Sequence, residues 1–161
     1  MSDDIKLPPI TGTMHVVDRS DSFGKPASGA VIIIAANEQH LKAARAFMIA
    51  EGVEPPDKLE FPVLMAFDPE TKELVGVLGT FHQDDMVWCG PLVLESTYPR
   101  YRTALALCSE YEQTMRKMGV KTYILWVDEG NIIDQSIQRY IPDGVELYAQ
   151  EGQRKFYIRR L

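Results

Sequence analysis

The chain has 161 residues and a formal net charge of −6, from 17 Lys+Arg against 23 Asp+Glu. With 45% hydrophobic and 25% charged residues it is sized and composed for one water-soluble domain with its own core. The acidic balance argues against nucleic-acid binding, which calls for a basic patch. The longest aliphatic run, Ala30 to Ala36, falls far short of the ~20 residues that span a bilayer.

Residues 1–29 read as an extended N-terminal arm. They hold Pro8, Pro9, Gly12, Gly24, Pro26 and Gly29 with no sustained periodicity, and only Met14 to Val17 could form a short strand. Alone, such an arm buries too little apolar surface to offset its ordering entropy. The domain itself, another subunit of a homo-oligomer, or a larger assembly is the expected holder. The acidic start Met1-Ser2-Asp3-Asp4 has no apolar stretch behind it, so neither a signal peptide nor a membrane location is expected, and the cytoplasm is. Cys89 and Cys108 are too few for a disulfide framework and lack metal-site spacing, so two reduced core thiols and no metal are expected.

From residue 30 to 161 the signals are those of one domain. Val31-Ile32-Ile33-Ile34-Ala35 is β-branched and reads as a buried strand. Asn37 should cap a helix that carries Leu41, Ala44, Phe47 and Met48 on one side and ends at Gly52. Strands follow at Pro62 to Phe67, Leu74 to Phe81 and Met86 to Leu94, the last with Gly90-Pro91 as a bulge or edge irregularity. Tyr101, Ala104, Leu105, Cys108, Tyr111, Met115 and Met118 recur at helical spacing up to Gly119. Lys121 to Val127 is a further strand, and a shorter helix around Ile132 to Ile141 stops before Pro142. Lys155 to Leu161 closes the chain as a strand, with Val145 to Tyr148 as its hairpin partner. Its Arg154, Lys155, Arg159 and Arg160 suggest a solvated, edge-protecting strand, or one that docks on an acidic partner. Trp88, Trp126, Tyr123, Phe156 and Tyr157 read mostly as core. The fold class is α/β, a mixed central sheet flanked by helices.

This order resembles the GCN5-related N-acetyltransferase (GNAT) superfamily over residues 31–161. Four segments carry the likeness: DPETKELVGV (68–77), LVLESTYPRYRTALALCSEYEQTMRKMG (92–119), Lys121 to Val127, and SIQRYIPDGV (136–145). The resemblance implies acetyl-CoA as the cofactor. Its pyrophosphate would be held by backbone N–H groups of a glycine-bearing turn before the long helix, where glycine lets the chain approach the phosphates. This chain has Pro99-Arg100-Tyr101-Arg102-Thr103-Ala104 there. No glycine remains. Either Arg100 and Arg102 bind phosphate through their side chains, or bulky groups close the groove and no cofactor is bound.

By the same resemblance, Leu94, Arg100, Tyr101, Arg102, Thr103 and Ala104 are the candidate cofactor contacts. Tyr140 falls at the family's tyrosine, the acid that protonates the departing thiolate, on the same helix as Ile133 and Ile137. The family's helix-opening asparagine would fall at Ile133, with Asn131 two residues early. Glu95, closing a strand, and His82, ending another, are candidate bases, with Asp128 and Glu129 behind them. Three functions follow. One is a non-catalytic protein-binding or assembly subunit, similar to degenerate GNAT-like proteins of tailed phages, acting in host cytoplasm or virion through its arm. Another is an N-acetyltransferase that moves an acetyl group from acetyl-CoA to an amine. The third is a small-molecule or acyl-CoA sensor without turnover.

Overall fold

The apolar runs pair into one eight-stranded sheet, in the order β1-β2-β3-β4-β5-β6-β8-β7. The computed structural model describes residues 14–15, 31–95 and 100–161. The rest of the expected arm and residues 96–99, with Pro99, lie outside the described residues. In chain order the elements are β1 (Met14–His15), β2 (Val31–Ala35), α1 (Glu38–Ala50), β3 (Glu60–Phe67), β4 (Leu74–Gln83) and β5 (Met86–Leu94). Then come α2 (Arg100–Lys117), β6 (Thr122–Asp128), α3 (Ile132–Tyr140), β7 (Val145–Glu151) and β8 (Arg154–Arg160). Every neighbouring pair is antiparallel except β5 and β6. That parallel pair requires a crossover, and α2 supplies it. Among the described residues no helix is long and apolar enough to cross a membrane.

Helix α1 starts where Asn37 can satisfy its first turn. The Asn37 side chain accepts from the His40 N–H at 3.2 Å, and His40 Nδ1 accepts from the Asn37 N–H at 2.9 Å, a reciprocal cap in which histidine takes the usual glutamate place. Its inner side, Ala43, Ala44 and Met48, packs with Val63, Met65, Phe67 and Val77 on one face of the sheet. Full burial of a side chain such as Met48 contributes about 1.5–3 kcal/mol. Helices α2 and α3 cover the opposite face. Leu107, Cys108, Tyr111 and Met115 meet Leu64, Ala66, Val75 and Leu78, while Ile133, Ile137 and Ile141 meet the β6 and β8 side. Gly76 sets how closely α2 rides on β4. A Cβ there would stand 3.0 Å from Leu107 Cδ1 and 3.1 Å from Thr103 Cγ2.

The terminal strand departs from the expectation of a solvated edge. Strand β8 lies between β6 and β7, and Arg159 is buried. Its Nε donates to Glu112 Oε1 of α2 at 2.7 Å, and its Nη1 donates to the carbonyls of Gly144 (3.0 Å) and Arg160 (2.9 Å). Glu112 is itself fully buried and also faces Arg116 at 3.6 Å. This basic residue is an internal staple between helix and sheet. The exposed edge is β7, where Leu147 and Tyr148 are each 52% accessible.

Candidate functional site

Among the described residues, the sheet parts between β5 and β6. Strands β5 and β6 pair through only two positions, Trp88 with Ile124 and Cys89 with Leu125. Beyond them the strands part. The cause lies in β5, where the register against β4 slips between Leu78↔Leu92 and Thr80↔Cys89. Gly79 alone therefore faces two residues, Gly90 and Pro91. Such a bulge bends its strand and increases the local twist. Gly90 has φ +144°, a conformation that L side chains rarely adopt. The Trp126 indole sits on it, and a Cβ at Gly90 would lie 2.8 Å from Cζ3 and nearer still to Cη2.

The backbone of the parted strands faces the gap. The Glu95 N–H donates to the Val75 carbonyl at 2.9 Å, which fixes the alternation of the antiparallel ladder. Leu92 and Leu94 then turn their N–H and C=O groups away from β4, into the gap. On the other side the Leu161 N–H donates to Lys121 O at 2.9 Å and the Glu129 N–H to Gln153 O at 2.6 Å. By the same alternation, Trp126 and Asp128 turn their N–H groups away from β8, toward β5. Pro91 has no N–H to offer. The opening is thus a slot with peptide groups along both rims.

The slot widens into a cleft of about 830 Å³ that passes through the sheet. On the α2 and α3 face it is walled by Ala104, Cys108 and Asn131–Ile133, and on the α1 face by Val53, Glu54, Trp126 and Arg154. Asp128 lines it as well, with Arg154 Nε 4.0 Å from its carboxylate. Glu54 and Asp128 are the carboxylates of this lining. Cys89 and Cys108 also line it, but neither is a thiolate nucleophile. Burial pushes both thiols up, Cys89 well above the usual range with added repulsion from Cys108, and Cys108 to about 12 with added repulsion from Glu112.

Helix α3 is held against this cleft by a polar network. Asn131 caps it, accepting from the Asp134 N–H at 2.9 Å. Asp134, buried in the first turn, accepts from the Gly130 N–H (2.8 Å), the Tyr157 hydroxyl (2.8 Å) and Lys155 Nζ (3.2 Å), and Gln138 donates to the Tyr157 hydroxyl at 2.9 Å. Burial alone would raise the Asp134 carboxyl, but the Gly130, Tyr157 and Lys155 contacts outweigh it and hold the group below its ordinary value. Burial would lower Lys155, but its contacts with Tyr157 and Asp134 raise it. Tyr157 is raised by burial and by Asp134.

The residues expected from the sequence fall into three groups. Leu94 and Ala104 line the cleft, and Glu95 follows Leu94 at the end of β5, half-buried. Arg100, Tyr101, Arg102 and Thr103 form the first turn of α2, with Thr103 buried over Gly76. The other two stand apart. His82 pairs in register with Val87, at the far end of β5 from Leu94, and its Nδ1 contacts Glu60. Tyr140 is 38% exposed at the end of α3, with the Arg139 guanidinium 5.3 Å over its ring. Ile141, one residue on, takes the buried position in line with Ile133 and Ile137. The cleft also uses Trp126, read as core, Glu54, read as loop, and Arg154, read as part of a solvated strand. Asn131, which the sequence sets two residues before the family's helix-opening asparagine, caps α3 at the cleft wall.

No protein-family model and no curated protein sequence matches the chain. Solved structures do. An acetyltransferase of the GNAT family from Staphylococcus aureus Mu50 superposes with TM-score 0.55 at 14% identity, over 81% of this chain and 99% of that one. A GNAT-family acetyltransferase from Listeria monocytogenes gives TM-score 0.55 at 14% identity, over 85% and 98%. The NatC complex bound to Gag peptide and CoA gives 0.57 at 16%, over 81% and 98%. At these identities the likeness is one of fold: the chain has the mixed-sheet fold of GNAT acetyltransferases.

Proposed function

We propose that the cleft between β5 and β6 holds an acyl-CoA thioester and that the protein transfers the acyl group to an amine. The observation that carries this reading is the gap itself. A CoA arm is a thin, extended chain with two amides, and a slot with peptide groups on both rims suits it as a guest strand would suit a sheet edge. The neighbouring folds support the same chemistry. The NatC structure contains CoA and a peptide, and Arabidopsis thaliana Naa50 carries a bisubstrate analogue, CoA-Ac-MVNAL.

Within this reading each end of the slot has a task. The open end lies at the N-terminus of α2, whose dipole and N–H groups favour phosphate. Arg100 and Arg102 in its first turn add the positive charge that an acidic chain must supply locally to hold a polyanion, in place of glycines. Leu94 and Ala104 line the cleft beside it. Glu54 and Asp128, at the cleft mouth, attract an ammonium group and take its proton. The freed amine nitrogen attacks the thioester carbon, the C–S bond breaks, and the proton that the nitrogen sheds on becoming an amide ends on the departing sulfur, which leaves as a thiol. Transfer is direct, because Cys89 and Cys108 are held protonated.

The alternative expectation, a non-catalytic assembly subunit, drew on the arm and on a blocked phosphate turn. No observation on the described residues supports it. Calorimetric titration with acetyl-CoA tests the choice. Micromolar binding that falls about tenfold or more in Arg100→Ala/Arg102→Ala is the expected result. A wild-type protein that shows no heat at millimolar acetyl-CoA contradicts the proposal.

A further inference from the structure

We infer that Trp126 sets the acyl-chain length, restricting the cleft to short acyl groups such as acetyl and propionyl. The inference rests on the acyl-CoA reading above. With phosphates at the α2 end, the apolar acyl end must lie at the other end of the slot, where β5 and β6 come together. That end is closed by backbone pairing of Cys89 with Leu125 and by the Trp126 ring seated on Gly90. The seat is so tight that Gly90 has no room for a single added carbon.

The ring cannot swing aside cheaply. Phe81 meets it edge-on with centroids 5.9 Å apart, and Trp88 lies against it at 6.2 Å. Trp88 is in turn stacked on Phe81 at 5.8 Å and edge-on to Phe156 at 6.0 Å. These four rings come from β4, β5, β6 and β8, so moving one disturbs contacts across the whole closed end. A longer acyl chain therefore meets a fixed wall and not a flexible side chain, and interiors this well packed resist extra methylenes.

The test is a binding series with free CoA and its acetyl, propionyl, butyryl, hexanoyl and octanoyl thioesters, read by calorimetry on the full chain. Where room exists, each added methylene strengthens binding about fourfold. Wild type should instead lose affinity beyond propionyl, with octanoyl-CoA about tenfold or more weaker than acetyl-CoA. Trp126→Ala should remove that penalty, so that octanoyl-CoA binds at least as tightly as acetyl-CoA. Trp126→Phe keeps an aromatic wall and should move the limit outward by a few carbons. It carries the test if the alanine variant does not fold. Octanoyl-CoA binding wild type as tightly as acetyl-CoA, or a folded Trp126 variant with the same length profile as wild type, overturns the inference and leaves the acyl-CoA reading standing. Failure of free CoA and every thioester to bind wild type overturns both.

Discussion

The two halves of the sheet on either side of the cleft are held together in different ways. From β2 to β5 the strands form antiparallel ladders with register shifts in β3–β4 and β4–β5, and apolar packing covers both faces, joined by the neutral contact of Thr80 Oγ1 with the Tyr111 hydroxyl. From β6 through β8 to β7 the strands are also antiparallel, with one register shift between Leu147 and Ala149, but the packing is reinforced by contacts of charged groups: Arg159 to Glu112, and Asp134 to Tyr157 and Lys155. Between the halves lie two residue pairs and a ring cluster. A sheet that opens there needs its far half tied to the helices, because the hydrogen bonds of the ladder do not cross the gap. The staples on α2 and α3 meet that need, and they leave the cleft rims free to meet a ligand.

The largest test of this contrast is at the staple. Glu112→Ala leaves the Arg159 guanidinium buried without its counter-charge, which typically costs about 3–5 kcal/mol. Urea denaturation should show a loss of that size. A loss under about 1 kcal/mol would mean that the pair behaves as a surface contact and that the far half is held otherwise.

The next test is at the bulge that opens the gap. Gly90→Ala forces a Cβ into the Trp126 ring and should cost about 1–3 kcal/mol while weakening acetyl-CoA binding. Gly152 is the control. It has φ +61° in the β7–β8 turn with open space around it, so Gly152→Ala should cost about 1 kcal/mol of strain and leave the ligand untouched. Equal effects of the two on ligand affinity would break the link between bulge and cleft.

The smallest test is one of pH. Asp134 is held below its ordinary value in the folded chain, so its contribution is full above the unfolded-state pKa of about 3.9. That contribution is lost as pH falls through the lower folded value. Asp134→Asn should therefore cost about 1 kcal/mol at neutral pH and flatten the loss of stability in acid. The raised Lys155 and Tyr157 work the other way, since their contributions fade as pH rises through the folded values. An unchanged acid limb in the asparagine variant would place the linkage elsewhere.

Most of the fold is legible in the sequence because it rests on local signals. The β-branched run at Val31–Ala35, the Asn37 cap and the spacing from Ala104 to Met115 each report their own element. The site is less legible because it depends on register. The Gly90-Pro91 step announces a bulge, but that the bulge parts β5 from β6 follows only when Gly79 and Trp126 are brought opposite it. Periodicity cannot separate Tyr140 from Ile141 at the end of a nine-residue helix, and the structure gives the buried place to Ile141. Arg159 reads as surface because its partner, Glu112, is 47 residues away in sequence. His82 and Leu94 both sit at strand ends, but at opposite ends of the same ladder.

The central claim, that the gap between β5 and β6 receives the arm of an acyl-CoA, is tested most directly by amide hydrogen exchange with and without saturating acetyl-CoA. The N–H groups of Leu92, Leu94, Trp126 and Asp128 should exchange more slowly with ligand bound, while those in the β2–β3 ladder stay unchanged. Exchange along both rims that is indifferent to acetyl-CoA at saturating concentration would contradict the account.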